Sequence, residues 1–314
     1  MSEPTFRSGF VTLVGRPNVG KSTLVNQVVG AKVAIVSDRP QTTRTQVRGV
    51  RTTSASQIVL LDTPGIHKPR TLLGERTNDR ARATLDEVDV VCMLIDASAT
   101  IGRGDHFVAE IVHAVDTPSV LVVNKVDAVD HGAVAEHLAI ASAELGEFDA
   151  YVPLSALTGE GVDALVGEFE ARLPEGPHYY PDGMVTDQPE AFLAAELVRE
   201  QLLKVARDEL PHSITVVAEI EVLQTDEADD AGDDDGEPRE PREEILHVSA
   251  RILVERESQK GMVIGKGGSV LKEAGTQARE ELERLLGTRV FLETRVSVER
   301  DWQRRAHALD RLGY

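Results

Sequence analysis

Through the first half of the chain, short apolar runs closed by glycine or a polar residue alternate with amphipathic segments. FVTLVG (10–15), QIVLLD (57–62), VVCMLID (90–96), VLVVNK (120–125) and AYVPLS (150–155) have strand length and are apolar almost throughout. Strands of that kind fit a sheet covered on both faces, as in an α/β domain with a mostly parallel sheet. KSTLVNQVVG (21–30) is amphipathic and ends on glycine, which predicts the first helix. In such a domain the functional groups collect at the carboxyl ends of the strands.

The pattern changes after LPEGPHYYPDGMVTDQP (173–189), whose four prolines and two glycines mark a boundary. The expected organisation is a first domain over 1–175, a linker over 176–189 and a second domain over 190–314. EAFLAAELVREQLLKVARDEL (190–210) predicts a long helix stopped by Pro211. SITVVAEIEVL (213–223) and ILHVSARILVERE (245–257) alternate as strands. A helix–glycine turn–helix follows over 260–287, then the strand RVFLETRVSVE (289–299), so the second domain is small and α+β.

At 314 residues and 41% hydrophobic content the chain supports two globular domains, and its longest apolar runs are too short to span a bilayer. No apolar leader opens the sequence, and the single cysteine, Cys92, excludes an internal disulfide, so a cytoplasmic location is expected. Cys92 lies within an apolar run and reads as core. The net charge of −19 is unevenly spread: residues 225–244 hold eleven acids against two arginines, whereas 251–314 carry thirteen Lys/Arg against ten Asp/Glu. The acidic stretch reads as a disordered insertion between two strands, either merely solvated or competing with an anionic partner for the basic end.

GRPNVGKS (15–22) fits G-x-x-x-x-G-K-[ST] between a strand and a helix. There Gly15, Arg16, Pro17, Asn18, Val19 and Gly20 form a loop whose N–H groups face phosphate. Lys21 reaches the β- and γ-phosphates, Ser22 offers its hydroxyl to Mg²⁺, and Thr23 follows in the helix. A glycine-rich turn alone would explain this stretch, but three further motifs follow in order at strand ends. DTPG supplies Asp62 for the metal, Thr63, Pro64, and the Gly65 N–H for the γ-phosphate. NKVD (Asn124, Lys125, Val126, Asp127) selects the base, since the Asp127 carboxylate accepts from both N1–H and the exocyclic amine of guanine. Ser155, Ala156 and Leu157 complete the pocket, the Ala156 N–H donating to guanine O6. Ile66 stands where many small GTPases carry a water-positioning glutamine, so slow hydrolysis carried by phosphate and metal electrostatics is expected.

In the second domain, Gly265-Lys266-Gly267-Gly268 fits G-x-x-G between two helices. Such a turn admits a sugar-phosphate backbone, with Val263 and Ile264 beside it as an apolar groove for unstacked bases and Ser269 opening the next helix. The C-terminal RDWQRRAHALDRLGY (300–314) reads as a basic helix whose Trp302 packs on the sheet of this domain or stacks on a base.

With these motifs in this order, the chain resembles translation-factor-class GTPases and, over residues 9–314 apart from the acidic stretch, the Era family. The resemblance implies an α/β P-loop GTPase domain followed by a type II KH domain, acting on GTP and GDP with Mg²⁺. The implied partners are the 3′ end of 16S rRNA and the 30S ribosomal subunit, with peripheral contact at the inner membrane. It also places a metal-binding threonine in QTTRT (41–45), Thr43 being favoured over Thr42, and gives Asn18 either a potassium-binding role or plain loop packing. The rivals are a tRNA-modifying GTPase, which needs a cofactor domain or catalytic cysteine, and a double-GTPase assembly factor, which needs a second P-loop.

Overall fold

The computed structural model describes residues 6–39, 42–66, 69, 71–205, 210–223 and 245–314. They form two compact units: 1–188 together with 301–314, and 189–300.

The first unit runs β1 (Arg7–Gly15), α1 (Lys21–Val29), β2 (Val47–Thr52), β3 (Ser56–Asp62), α2 (Leu72–Ala83), β4 (Val90–Asp96), α3 (Arg103–Val112), β5 (Ser119–Asn124), α4 (His131–Glu144), β6 (Ala150–Leu154) and α5 (Val162–Arg172). The sheet order is β2-β3-β1-β4-β5-β6, parallel throughout except for β2 against β3. Alternate residues of one strand feed two separate cores. In β4, Val90, Cys92 and Leu94 pack with Leu24 and Phe169 on one face. Val91, Met93 and Ile95 pack with Val108 and Leu145 on the other. A strand buried on both faces is continuously apolar, which is why these runs are readable in the sequence. Burial pushes the Cys92 thiol well up, and the residue is part of this core.

β2 has no counterpart among the strands expected from sequence. Its residues VRGVRT carry two arginines and a glycine, and it pairs with β3 alone as an antiparallel edge. Residues 176–188, expected as a linker, are bonded to this edge. The Val50 N–H donates to the Val185 carbonyl at 2.8 Å, Arg48 pairs with Asp187 at 2.7 Å, and the Gln57 side chain accepts from the N–H groups of Tyr179 and Tyr180.

The second unit runs α6 (Glu190–Val205), α7 (Leu210–Ser213), β7 (Thr215–Leu223), β8 (Ile245–Val254), α8 (Glu257–Ile264), α9 (Ser269–Leu286) and β9 (Arg289–Val298). β7 is antiparallel and β9 parallel to the central β8. Val198 and Leu202 of α6 and Ala274 and Ala278 of α9 cover one face of the sheet over Ala250, Ile252 and Val254. The helix expected to run to residue 210 is described as far as Val205, and Pro211 falls inside α7. The acidic stretch 225–244 lies outside the described residues.

Residues 301–314, expected to complete the second domain, group instead with the first unit. They carry a short turn at Trp302–Arg304 and α10 (Ala306–Arg311). Trp302 is fully buried against Leu73 of α2, together with Leu309 and Tyr314, which corrects its expected packing on the second sheet or on a base. Arg76 of α2 donates to Asp310 at 2.6 Å and to the Tyr314 carbonyl at 2.8 Å. No helix among the described residues is long and apolar enough to cross a membrane.

Candidate nucleotide site and nucleic-acid interface

The loop after β1 turns tightly because Gly20 adopts φ 101°, a left-handed conformation that glycine reaches without steric penalty. A Cβ there would also lie 2.2 Å from the Asn124 side-chain nitrogen. Gly65 is constrained differently: a Cβ would meet the Pro17 nitrogen at 2.8 Å, so two loops from different strands approach backbone to backbone only because this residue is glycine. Lys21 lies almost fully buried, with Nζ donating to the carbonyls of Gly15 and Arg16 at 3.3 and 3.2 Å. Burial lowers its pKa to about 8, an effect opposed by the nearby Asp62 carboxylate.

Three oxygens from three segments converge beside it. The Ser22 hydroxyl donates to Asp62 Oδ2 at 2.6 Å, Thr43 donates to the same oxygen at 3.0 Å, and the two hydroxyls are 2.9 Å apart. Two hydroxyls and a carboxylate are a hard-oxygen donor set of the kind Mg²⁺ takes, and the residues present fit that ion. Thr42 borders the same cleft but donates its hydroxyl proton to the Arg39 carbonyl at 2.7 Å, outside this cluster.

At the other end of the cleft, Asn124 joins two loops. Its Nδ2 donates to the Val19 carbonyl at 2.7 Å and its Oδ1 accepts from the Ala156 N–H at 2.9 Å, so that N–H, expected to donate to guanine O6, is engaged by Asn124 instead. Lys125, held at φ 68°, pairs through Nζ with Asp96 Oδ2 at 2.6 Å. Burial opposes ionisation of Asp96, but hydrogen bonds from Lys125 and Ser98 outweigh it and hold the carboxyl below its ordinary value. Asp127 is exposed and lines this end of the cleft together with Ala156 and Leu157.

Gly20, Lys21, Ser22, Thr43, Gly65, Asn124, Lys125, Asp127, Ala156 and Leu157 line one cleft of about 560 Å³, which also takes in Pro17, Asn18, Thr23 and the segment 35–38, with Asp62 and Asp96 bonded behind Ser22 and Lys125. The sequence reading missed Asp96, although it too ends a strand, and missed 35–38, which carry no motif. Other expected site residues point elsewhere. Val19, Ile66, Thr63 and Ser155 are buried, Ile66 among Val14, Ala81 and Leu85, and Thr63 on the Leu13 carbonyl at 2.6 Å. Arg16 pairs with Asp105 at 2.9 Å. Pro64 faces α2 and Val126 lies in the turn after β5. The Asn18 amide donates to the Asp38 carbonyl at 2.6 Å.

In the second unit the turn between α8 and α9 places Gly265, Gly267 and Gly268 at positive φ. Lys266 and Gly267 are exposed, and nothing lies within 4 Å of where a Cβ of Gly267 or Gly268 would stand. From Gly268 a groove of about 350 Å³ runs between α9, at Leu271 and Gly275, and β9, at Leu292 and Thr294, with Lys272 and Arg279 along it. Val263, expected in that groove, is buried in the core instead, because α8 turns its Val263 side toward Val254 and Ala278. Ile264 is half-buried against the same core, and Ser269 is exposed at the start of α9.

Comparison with known proteins agrees with both halves. A family model for a 50S ribosome-binding GTPase matches residues 10–125, and one for a KH domain matches 240–303. GTPase Era of Mycobacterium sp. (strain KMS) is 49% identical with all of both chains covered, and that of Mycobacterium avium (strain 104) is 50% identical over 98% of this chain and 99% of its own. Among solved structures, Era in complex with MgGDPNP and nucleotides 1506–1542 of 16S ribosomal RNA superposes with a TM-score of 0.90 at 37% identity, covering 98% of this chain and 99% of that one. An Aquifex aeolicus Era variant bound to GDP·AlF4⁻ gives 0.88 at the same identity and coverage. The chain belongs to the Era family of GTPases, with a P-loop GTPase domain and a C-terminal KH domain.

Proposed function

We propose that the protein is a GTP-driven switch whose KH domain binds the 3′ end of 16S rRNA and which assists assembly of the 30S subunit in the cytoplasm. The observation that carries the nucleotide half is the Asn124 side chain, which ties the phosphate loop at Val19 to the base-side loop at Ala156. With both loops fixed, Asp127 faces a guanine edge while Lys21 and the N-terminus of α1 face the phosphates. Ser22, Thr43 and Asp62 would hold Mg²⁺, which supplies charge neutralisation at the β- and γ-phosphates when bound. Lys21 supports developing negative charge on the phosphate oxygens, and the Gly65 N–H orients the γ-phosphate. Ile66, sealed in the core, positions no water, so turnover is slow and the nucleotide works as a timer.

For Asn18 the bond from its amide N–H to the Asp38 carbonyl supports a bracing role, and it leaves Oδ1, the atom that would meet potassium, for either reading. The RNA half rests on the open G-x-x-G turn, with Lys266 exposed on it, and the groove beside it, with Lys272 facing phosphate and Arg279 held by Glu283 at 2.8 Å. We take residues 1–175 as the nucleotide domain and the helix–turn–helix around 265–268 as the centre of the RNA domain.

Replacing Asp127 by Asn tests the base assignment. It presents a donor to guanine N1–H, so GTP affinity drops by orders of magnitude and xanthosine triphosphate binds in its place. Equal loss of both nucleotides, measured by fluorescent-nucleotide titration, would refute the pocket.

A further inference from the structure

Thr43 reaches the Ser22–Asp62 cluster from an irregular segment, and nothing in local secondary structure holds it there. A loop residue at a site keeps its geometry only if packing from behind fixes it. The next residue supplies that packing. Arg44 is buried, with 3% exposure, and its guanidinium lies 5.5 Å from the centroid of the Trp302 ring. Trp302 is itself fully buried between Leu73 and the Tyr314 ring, whose centroid is 5.7 Å away. Leu73 closes the circuit: with Gly74 and Thr77 it borders the narrow gap that Thr43, Arg44 and Gly65 line from the other side. The tail is fastened to α2 by Arg76, through Asp310 and the Tyr314 carbonyl.

We propose that Trp302 is a positioning residue for GTP hydrolysis: it clamps Arg44 and Leu73, and so holds Thr43 where its hydroxyl meets Ser22 and Asp62. A cation stacked on an indole with both partners out of water is among the stronger contacts of its kind, and it acts one residue from Thr43. The inference deepens the reading of Thr43 as a metal-binding residue. It separates nucleotides, because Thr43 matters when a γ-phosphate and its metal are present, whereas GDP depends on the phosphate loop and the Asn124–Asp127 end.

The test uses the full chain with Trp302→Leu, Trp302→Phe and Arg44→Met, and Thr43→Ala as reference. Trp302→Leu should raise the Mg²⁺ concentration for half-maximal GTP hydrolysis roughly tenfold, within what a desolvated cation–π contact carries. It should leave GDP affinity within about twofold. Trp302→Phe, which keeps a ring face, should restore most of the Mg²⁺ response. Arg44→Met should mimic Trp302→Leu, and the double variant should be no worse than either single change, as expected for one shared contact. An unchanged Mg²⁺ response in Trp302→Leu, with GDP binding intact, would overturn the proposal. Equal losses for GDP and GTP would overturn it too, by reducing Trp302 to a structural role. If Thr43→Ala shifts the Mg²⁺ response while Trp302→Leu does not, only the clamp fails. If Thr43→Ala is also silent, the assignment of Thr43 fails with it.

Discussion

The two candidate sites of this chain are both built on glycine, and they use it in opposite ways. At the nucleotide cleft, Gly20 and Gly65 let other protein groups come close: a Cβ at either would strike Asn124 or Pro17. At the second site, Gly267 and Gly268 face open space. The first arrangement draws loops together until donors and charges are fixed before a ligand arrives, which strengthens electrostatic contacts with a small, highly charged molecule. The second leaves backbone uncovered, and on the proposed reading a long polymer lies against it with selectivity drawn from the groove alongside. A cleft that must hold one nucleotide is thus locked, and a surface that must admit a chain is left bare.

The largest effect expected from breaking the locked site comes at Asn124. Asn124→Ala strands the Val19 carbonyl and the Ala156 N–H, each at a cost of about 1–3 kcal/mol. GTP affinity should fall at least about a hundredfold, with a melting temperature lowered by several degrees in calorimetry. Unchanged affinity would mean that the cleft is not locked by this bridge.

The bare site should respond selectively. Gly267→Asp has room for its side chain and a backbone φ of 61°, which aspartate tolerates better than most residues, so the fold should survive. Its charge then repels phosphate, and affinity for a short single-stranded RNA carrying the 16S 3′ sequence should drop about ten- to a hundredfold. GTP hydrolysis by the same protein should stay within twofold. RNA binding that persists would move the interface away from this turn.

The smallest effect is in pH. Lys21 is held near a pKa of about 8 by burial, below the 10.5 of an exposed lysine. Between these values the unfolded chain binds more protons than the folded one, so the nucleotide-free protein should gain stability as pH rises through that window. Phosphate draws the proton back onto Lys21, so nucleotide binding should take up a proton above pH 8 and weaken as pH rises further. Calorimetry in two buffers of different ionisation enthalpy measures that uptake, and none at pH 8.5 would remove Lys21 from the phosphate site.

How much of this was legible depended on whether the signal was local. β1, β3, β4 and β5 read clearly because both of their faces are largely buried, β6 because its apolar residues stay together although it is a half-buried edge strand, and the glycine motifs because their spacing is set by backbone geometry within a few residues. β2 was missed because an edge strand needs only alternate apolar residues, and its arginines and glycine blurred even that. Val263 was assigned to a groove because an apolar residue beside a binding turn looks the same whether it faces ligand or core. Trp302 was attributed to the wrong neighbours because its partners, Leu73 and Arg44, lie far away in the sequence and leave no mark near it.

The return of residues 301–314 to the first unit also bears on the order of events during synthesis. The 112 residues of the second unit are translated before those that supply Trp302, Leu309 and Tyr314. At typical translation rates that is an interval of about 6–22 seconds. Throughout it the nascent nucleotide domain has its phosphate loop and sheet but not the aromatic wedge behind Arg44. On the proposal above, a growing chain holds GDP through loops already made, while its hydrolysis reaches its full response to Mg²⁺ only once these last residues are in place.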